Sequence, residues 1–188
     1  MDIVDRKHQL AVAVVRVAVG IIFLTAGVEK IFGAENWSAA GFLENGTAGS
    51  LGWPWDQWFG TGNPTQDFWV GLAANESAMT AVNWLVPYGQ VAIGASLILG
   101  LLTRFGAAMG TLMMLIFFVA AWDFQFGIVN QHLTYALVTF LIGYLGAGNY
   151  YGLDGMIGRN MSPFIRKWFL SGDHHDWADK PTASAMPA

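Results

Sequence analysis

Trp122-Asp123-Phe124 and Asn130-Gln131-His132 bound a short polar turn between two long apolar runs. A carboxylate, two amides and an imidazole therefore sit close to where hydrocarbon would begin. Polar groups at that depth are costly, so they are either paired structural features or a site. Glu29 and Lys30, near the end of the first apolar run, and Asn83, near the start of the second, are the other candidates at the same depth. Lys30 and His132 are the residue types that hold an oxyanion or a carbonyl oxygen; Asp123 and Glu29 are those that pass protons. The alternative is that Lys30 with Asp123 or Glu29 forms only an ion pair that locks helices, with His132 donating to a carbonyl or to Asp123.

The elements that must position these groups are membrane helices. Hydrophobic residues make up 54% of the 188-residue chain and charged residues 12%, where soluble domains carry about 25% charged residues. Nine tryptophans and 23 glycines suit aromatic belts and close helix packing. There is no cysteine, which excludes structural disulfides, thiolate-ligated clusters, zinc ribbons and cysteine-based sulfur transfer. His8, His174 and His175 fall in the polar tails, so His132 has no partner for a bis-histidine haem, and no metal site is expected. No nucleic-acid partner is expected.

The pattern predicts an all-α integral membrane protein, a bundle of four transmembrane helices. The spans are placed at about 10–33, 80–102, 105–126 and 128–145. A cleaved leader is the other reading of the first run, but its length and Arg16 favour a retained helix. Residues 34–78 form a Trp-rich extracytoplasmic cap, with a short helix from Trp37 to Glu44 and another N-capped at Asn63-Pro64. Pro87 should kink the second span. An interfacial helix is expected at 161–170, completing one membrane domain over 1–170, and a disordered cytoplasmic tail at 171–188. Arg6, Lys7, Arg104, Arg159, Arg166 and Lys167 all fall on one side of this topology. Both termini should therefore be cytoplasmic, in the plasma membrane.

Helical spacing sorts the candidates onto stripes. Arg16, Gly20, Phe23, Gly27 and Lys30 share one face of the first span; Asn83, Pro87, Gln90 and Gly94 share one of the second; His132, Tyr135 and Thr139 share one of the fourth. Gly106 and Gly110 read as close-contact positions. The outer ends of these stripes predict a small-ligand pocket beneath the cap. Asp123, His132, Lys30 and Glu29 would do its chemistry, with Asn83, Tyr88, Gln90, Trp122, Asn130 and Tyr135 as binding residues. Its apolar walls suit a quinone head group. At the inner face, Arg16, Arg104 and Asp154 are expected to form a structural clasp, Asp154 pairing with one of the two arginines; Arg16 bonded to Gln90, or reaching water, is the alternative.

Arg16-x-x-x-Gly20 followed by Thr25-Ala26-Gly27-x-x-Lys30 resembles the first helix of the DoxX/DoxD family. Leu97 to Arg104 is similar to its second-helix ending, and Gly146-Ala147-Gly148 with Gly152-Leu153-Asp154 to its closing signature. Gly41-Phe42-Leu43, the Trp-rich connection and Asn130 to Leu137 resemble the thiosulfate:quinone oxidoreductase branch. The resemblance implies a four-helix, quinone-linked DoxD subunit that couples two thiosulfates into tetrathionate, with a separate DoxA-like chain as partner. It equally admits an accessory subunit of a larger respiratory or redox complex, and a homo-oligomer. A transporter is disfavoured, since no inverted repeat with broken helices is visible.

Overall fold

The structure is a computed structural model that describes residues 3–33, 37–49, 51–60, 62–124 and 127–171. Every regular element among them is helical. Helix α1 (Ile3–Val28) runs on into a wide π-helical turn, Glu29–Gly33. A second π-helical turn, Phe42–Gly46, and the short helices α2 (Trp55–Phe59) and α3 (Gln66–Ala73) make up the connection. The long helices α4 (Glu76–Leu99) and α5 (Thr103–Ala121) follow, then α6 (Gln131–Tyr144), α7 (Leu153–Ile157) and α8 (Pro163–Trp168).

Three helices are long and apolar enough to cross a membrane: residues 6–33, α4 and α5. Helix α6 has 14 residues, about 21 Å at 1.5 Å per residue, which falls short of a hydrocarbon core of ~30 Å. Its sides nonetheless resemble those of the long helices. Ile21 and Ile22 on α1, Leu85 on α4, Leu112 on α5 and Leu137 and Phe140 on α6 all stand exposed, as side chains facing lipid would.

The helix ends differ from the expected ones for identifiable reasons. Helix α4 begins at Glu76 because the Asn75 side chain caps it, accepting from the Ala78 N–H at 3.0 Å. Helix α5 stops at Ala121, short of residue 126, because Trp122 turns left-handed with φ 45°. Asn63 fixes that stop: its Nδ2 donates to the Val119 and Ala120 carbonyls at 3.2 and 2.9 Å, groups a helix end leaves unmet. Asn63 is therefore not the N-cap of α3, which starts at Gln66 after an Asn63–Thr65 turn. Helix α6 starts at Gln131, capped by Asn130 through the Leu133 N–H at 3.0 Å. Ser171 does not begin a loose tail; it is buried. Residues 172–188 lie outside the described residues.

Helix α4 lies between α1 and α5, α5 lies between α4 and α6, and α6 touches α1. Two of these contacts are broad and two are thin: α1 against α4 and α5 against α6 are extensive, while α4 against α5 and α6 against α1 are slight. Glycine explains the first. A Cβ on Gly94 would lie 2.5 Å from the Leu24 amide nitrogen, and one on Gly20 would lie 2.9 Å from that of Ile98, so the backbones of α1 and α4 touch. Gly110 and Gly143 make room between α5 and α6 for the side chains of Thr139 and Ala107, each 2.9 Å from where a Cβ would lie. One core cluster, including Val19, Phe23, Ile93, Leu97, Met114 and Ile142, draws on all four helices. The expected stripes face inward: Arg16, Gly20, Phe23, Pro87, Gln90 and Thr139 are all buried.

Candidate functional site

The two ends of the helix assembly are built in opposite ways. At the Arg16 end the two buried charges, Arg16 and Asp154, are held mainly by backbone. Arg16 is 1% exposed; its Nη1 donates to the carbonyls of Ala147 and Tyr150 at 2.6 and 3.0 Å, and its Nη2 to that of Tyr151 at 3.2 Å. Asp154, equally buried, accepts from the Leu102 and Thr103 N–H groups at 2.8 and 3.0 Å. It thereby caps the first turn of α5, where a negative charge also complements the helix dipole. Ser171 donates its hydroxyl to Asp154 at 2.9 Å and accepts from the Gly148 N–H at 2.9 Å. The backbone N–H of Asp154 reaches the Gly100 carbonyl at 2.8 Å.

Asp154 lies close enough to Arg16 for its charge to act on the guanidinium, while the hydrogen bonds of both groups go mainly to backbone. Arg16 spends its donors on carbonyls, not on Gln90, and Arg104 donates to the Lys167 carbonyl. Glycine makes room for this. Gly100 sits at φ 63°, and a Cβ there would lie 2.6 Å from Arg16 Nη1; a Cβ on Gly148 would collide with Thr103, Asp154 and Ser171.

At the Lys30 end the arrangement is receptive. The open α4–α5 seam forms a groove of about 880 Å³. From Val82 to Ser96 on α4 it is about 21 Å long at the helical rise. Its middle is apolar, between Val86, Gly89 and Ile93 on α4 and Met109, Met113 and Phe117 on α5. Polar side chains mark its ends: Lys30, Ser38 and His132 at one, Ser96 at the other. Trp37, Phe42, Leu43, Trp69 and Leu72 of the connection roof the Lys30 end. Asn83 pins that roof to α4, accepting from the Ala39 N–H at 2.9 Å and donating to Ser38 Oγ at 3.2 Å.

Lys30 stands on the π-helical turn, with its Nζ donating to the Ala26 carbonyl at 3.0 Å and 5.8 Å from the centre of the Trp37 ring. An ammonium has three donors, and among the described residues this carbonyl takes one of them. His132 lines the groove with its ring edge-on to Phe117, centroids 6.0 Å apart. Among the residues picked from sequence, these two share the cavity, and Asn83 supports it from behind.

The other candidates do not line the groove, though Glu29 and Asp123 lie close enough for their charges to act on Lys30 and His132. Glu29 and Asp123 are exposed and do not line the groove. Tyr88 is exposed and stacks on Trp84 at 4.6 Å. Gln90 is buried among the helices, Tyr135 packs on the core, and Trp122 packs on Phe124 at 4.9 Å. Asn130 caps α6 and holds the Asp123 carbonyl at 2.9 Å. Ser38, Thr103 and Ser171 carry no signal in the sequence for these contacts; Asn63 does, as a helix-boundary motif, but it serves the end of α5 and not the start of α3.

Among the described residues, no group of His, Asp and Glu is placed to hold a metal ion. No curated protein and no solved structure matches the chain. Residues 11–123, from α1 through α5 to Asp123 and more than half of the chain, match the DoxX family; the chain therefore belongs to the DoxX family.

Proposed function

We propose that this DoxX protein is a redox protein of the DoxD type, which binds a membrane quinone at the Lys30–His132 end of the groove and reduces it with electrons from thiosulfate. The observation that supports this is the groove itself: apolar for about 21 Å by the helical rise, with an ammonium and an imidazole gathered at one roofed end. A quinone ring needs hydrogen-bond donors at its carbonyl oxygens and apolar walls around it. Lys30 has donors to give, and His132 faces the same space.

In this reading α6 is the fourth crossing, lengthened at its start by the exposed Ile128 and Val129 and accommodated by local thinning of the bilayer. No Lys or Arg occurs between Lys30 and Arg104, so the roofed end faces outward and both termini lie in the cytoplasm of a plasma-membrane protein. Bound quinone supplies a two-electron, two-proton acceptor. Two thiosulfates each give up one electron, and a sulfur–sulfur bond joins them as tetrathionate. Lys30 and His132 hold the carbonyl oxygen or the approaching oxyanion, and the exposed carboxylates of Glu29 and Asp123 exchange protons with the outer solution.

The test is thiosulfate-dependent reduction of a quinone analogue by the purified protein in nanodiscs, with and without a DoxA-like partner. Lys30→Met and His132→Ala should each lower the rate by about tenfold or more, the loss of one charged hydrogen bond in a dry site. Unchanged rates in both variants would sink the assignment. A second reading, an accessory subunit of a respiratory complex or a homo-oligomer, is favoured by one observation. Phe32, Trp53, Trp58 and Phe68 stand 82, 76, 79 and 62% exposed near the roofed end, as an aromatic contact surface would. Stoichiometric co-purification without bound quinone would decide for it.

A further inference from the structure

We infer that the α4–α5 groove is a side channel for the isoprenoid tail of a long-chain quinone, which slides in from the hydrocarbon with its ring toward Lys30 and its tail toward Ser96. This rests on the quinone reading above and adds the substrate class and its path.

The argument starts from which walls are open. The rim along the seam is exposed: Leu85 at 69%, Met109 at 38%, Leu112 at 50% and Ile116 at 44%. The floor beneath it is closed by buried residues, Ile93, Gly106 and Ala120. The Lys30 end is roofed by Trp37, Leu43 and Trp69. A membrane-dissolved ligand therefore meets the groove from the side along its length, not through the roof.

Small residues keep this trough open. At Gly89 the end of Met113 reaches across from α5: a Cβ there would sit 3.0 Å from Met113 Cε, so a larger residue has to displace that flexible side chain along the trough. Ala92, at an exposed position on the wall, leaves a second gap. The roof decides between membrane chains. A phospholipid would have to place a bulky zwitterionic head under an aromatic lid and two chains in one trough. A flat ring with a single tail places donors' partners at Lys30 and His132 and one chain along α4.

The tail is already in hydrocarbon before it binds, so area burial contributes little and close packing must supply the preference. The expected gain is consequently moderate, about tenfold in affinity, or about 1.4 kcal/mol.

The experiment is titration of the full-length protein in nanodiscs, read by quenching of tryptophan fluorescence. The probes are a tailless dimethoxybenzoquinone and the same ring with a long polyprenyl tail, compared at equal concentration within the lipid. The tailed probe should bind about tenfold more tightly. Ala92→Phe, which fills the trough from an exposed position, should abolish that difference and leave the tailless probe unaffected; Leu137→Phe, on the outer face of α6, should change neither. Equal binding of the two probes, undisturbed by Ala92→Phe, overturns the tail channel while leaving the quinone site standing. Absence of binding by either probe removes the quinone reading and this inference with it. Nanodisc lipid is in large excess, so tight binding there also excludes a groove that prefers acyl chains.

Discussion

Asp154 offers the sharpest quantitative test of how the Arg16 end is held. Its carboxylate is 1% exposed and accepts three hydrogen bonds, from Leu102, Thr103 and Ser171. In Asp154→Asn one oxygen survives and keeps the Leu102 N–H. The new amide nitrogen faces the Thr103 N–H, donor against donor, while the Ser171 hydroxyl can turn to accept. One buried N–H is left unmet, which costs about 1–3 kcal/mol, so about 2 kcal/mol is expected. Asp154→Ala orphans both helix N–H groups and the Ser171 hydroxyl, and about 4 kcal/mol is expected on the same basis. For a chain of this length each kcal/mol moves Tm by roughly 2–4 °C. The amide variant should thus melt about 4–8 °C lower and the alanine variant about 8–16 °C lower. Thermal unfolding in nanodiscs, followed by tryptophan fluorescence, measures both. An amide variant as stable as the parent, or the two variants melting together, would refute the capping argument, because only the count of unmet donors separates them.

Other substitutions probe other parts of the assembly. Gly94→Ala drives a methyl into the α1 backbone at Leu24 and should cost about 2–3 kcal/mol; Gly71→Ala, with nothing within 4 Å of its added Cβ, should be neutral or stabilising by up to ~1 kcal/mol in the same melting assay. Asn63→Ala releases the Val119 and Ala120 carbonyls and should cost about 1–2 kcal/mol, with faster hydrogen exchange confined to the last turn of α5. Lys30→Met should weaken binding of a tailless quinone about tenfold without altering Tm by more than ~2 °C, since its hydrogen bond among the described residues is to its own helix.

Much of this was legible because a polar residue in an apolar run has few places to go. The period of the apolar runs put Arg16, Phe23, Gln90 and Thr139 inside, where they are found. The same logic found Lys30 and His132. Glu29 and Asp123, expected in the pocket, stand exposed beside it, close enough for their charges to act on Lys30 and His132. The stripe carried from α1 still delivers Lys30 to the groove, although a π-helical turn widens the helix at Glu29–Gly33. A single left-handed residue, Trp122, swings Asp123 out past the end of α5. The groove walls had no signal at all. Leu85, Met109 and Leu112 read like any lipid-facing residues, and only the packing of α4 on α5 turns them into a rim.

The contrast between the ends bears on how the protein can work. At the Arg16 end, glycines at 100, 148 and 152 let charges approach the backbone so closely that no space is left for a ligand. That end fixes α1, the α4–α5 turn and the segment after α6 as one block. The α4–α5 seam can then stay thin elsewhere without the helices separating, because α4 is held by α1 and α5 by α6 over most of their lengths. A seam that is weak by packing yet held at one end is what a side-opening groove requires. It also places the half-buried Lys30 at the far end beneath the roof, where partial exclusion of water strengthens whatever bond it makes. The clasp residues should accordingly govern stability and leave ligand affinity untouched, while Lys30 and Ala92 should do the reverse. A Gly148→Ala protein that still folds but loses quinone affinity in proportion to its lost stability would contradict that division.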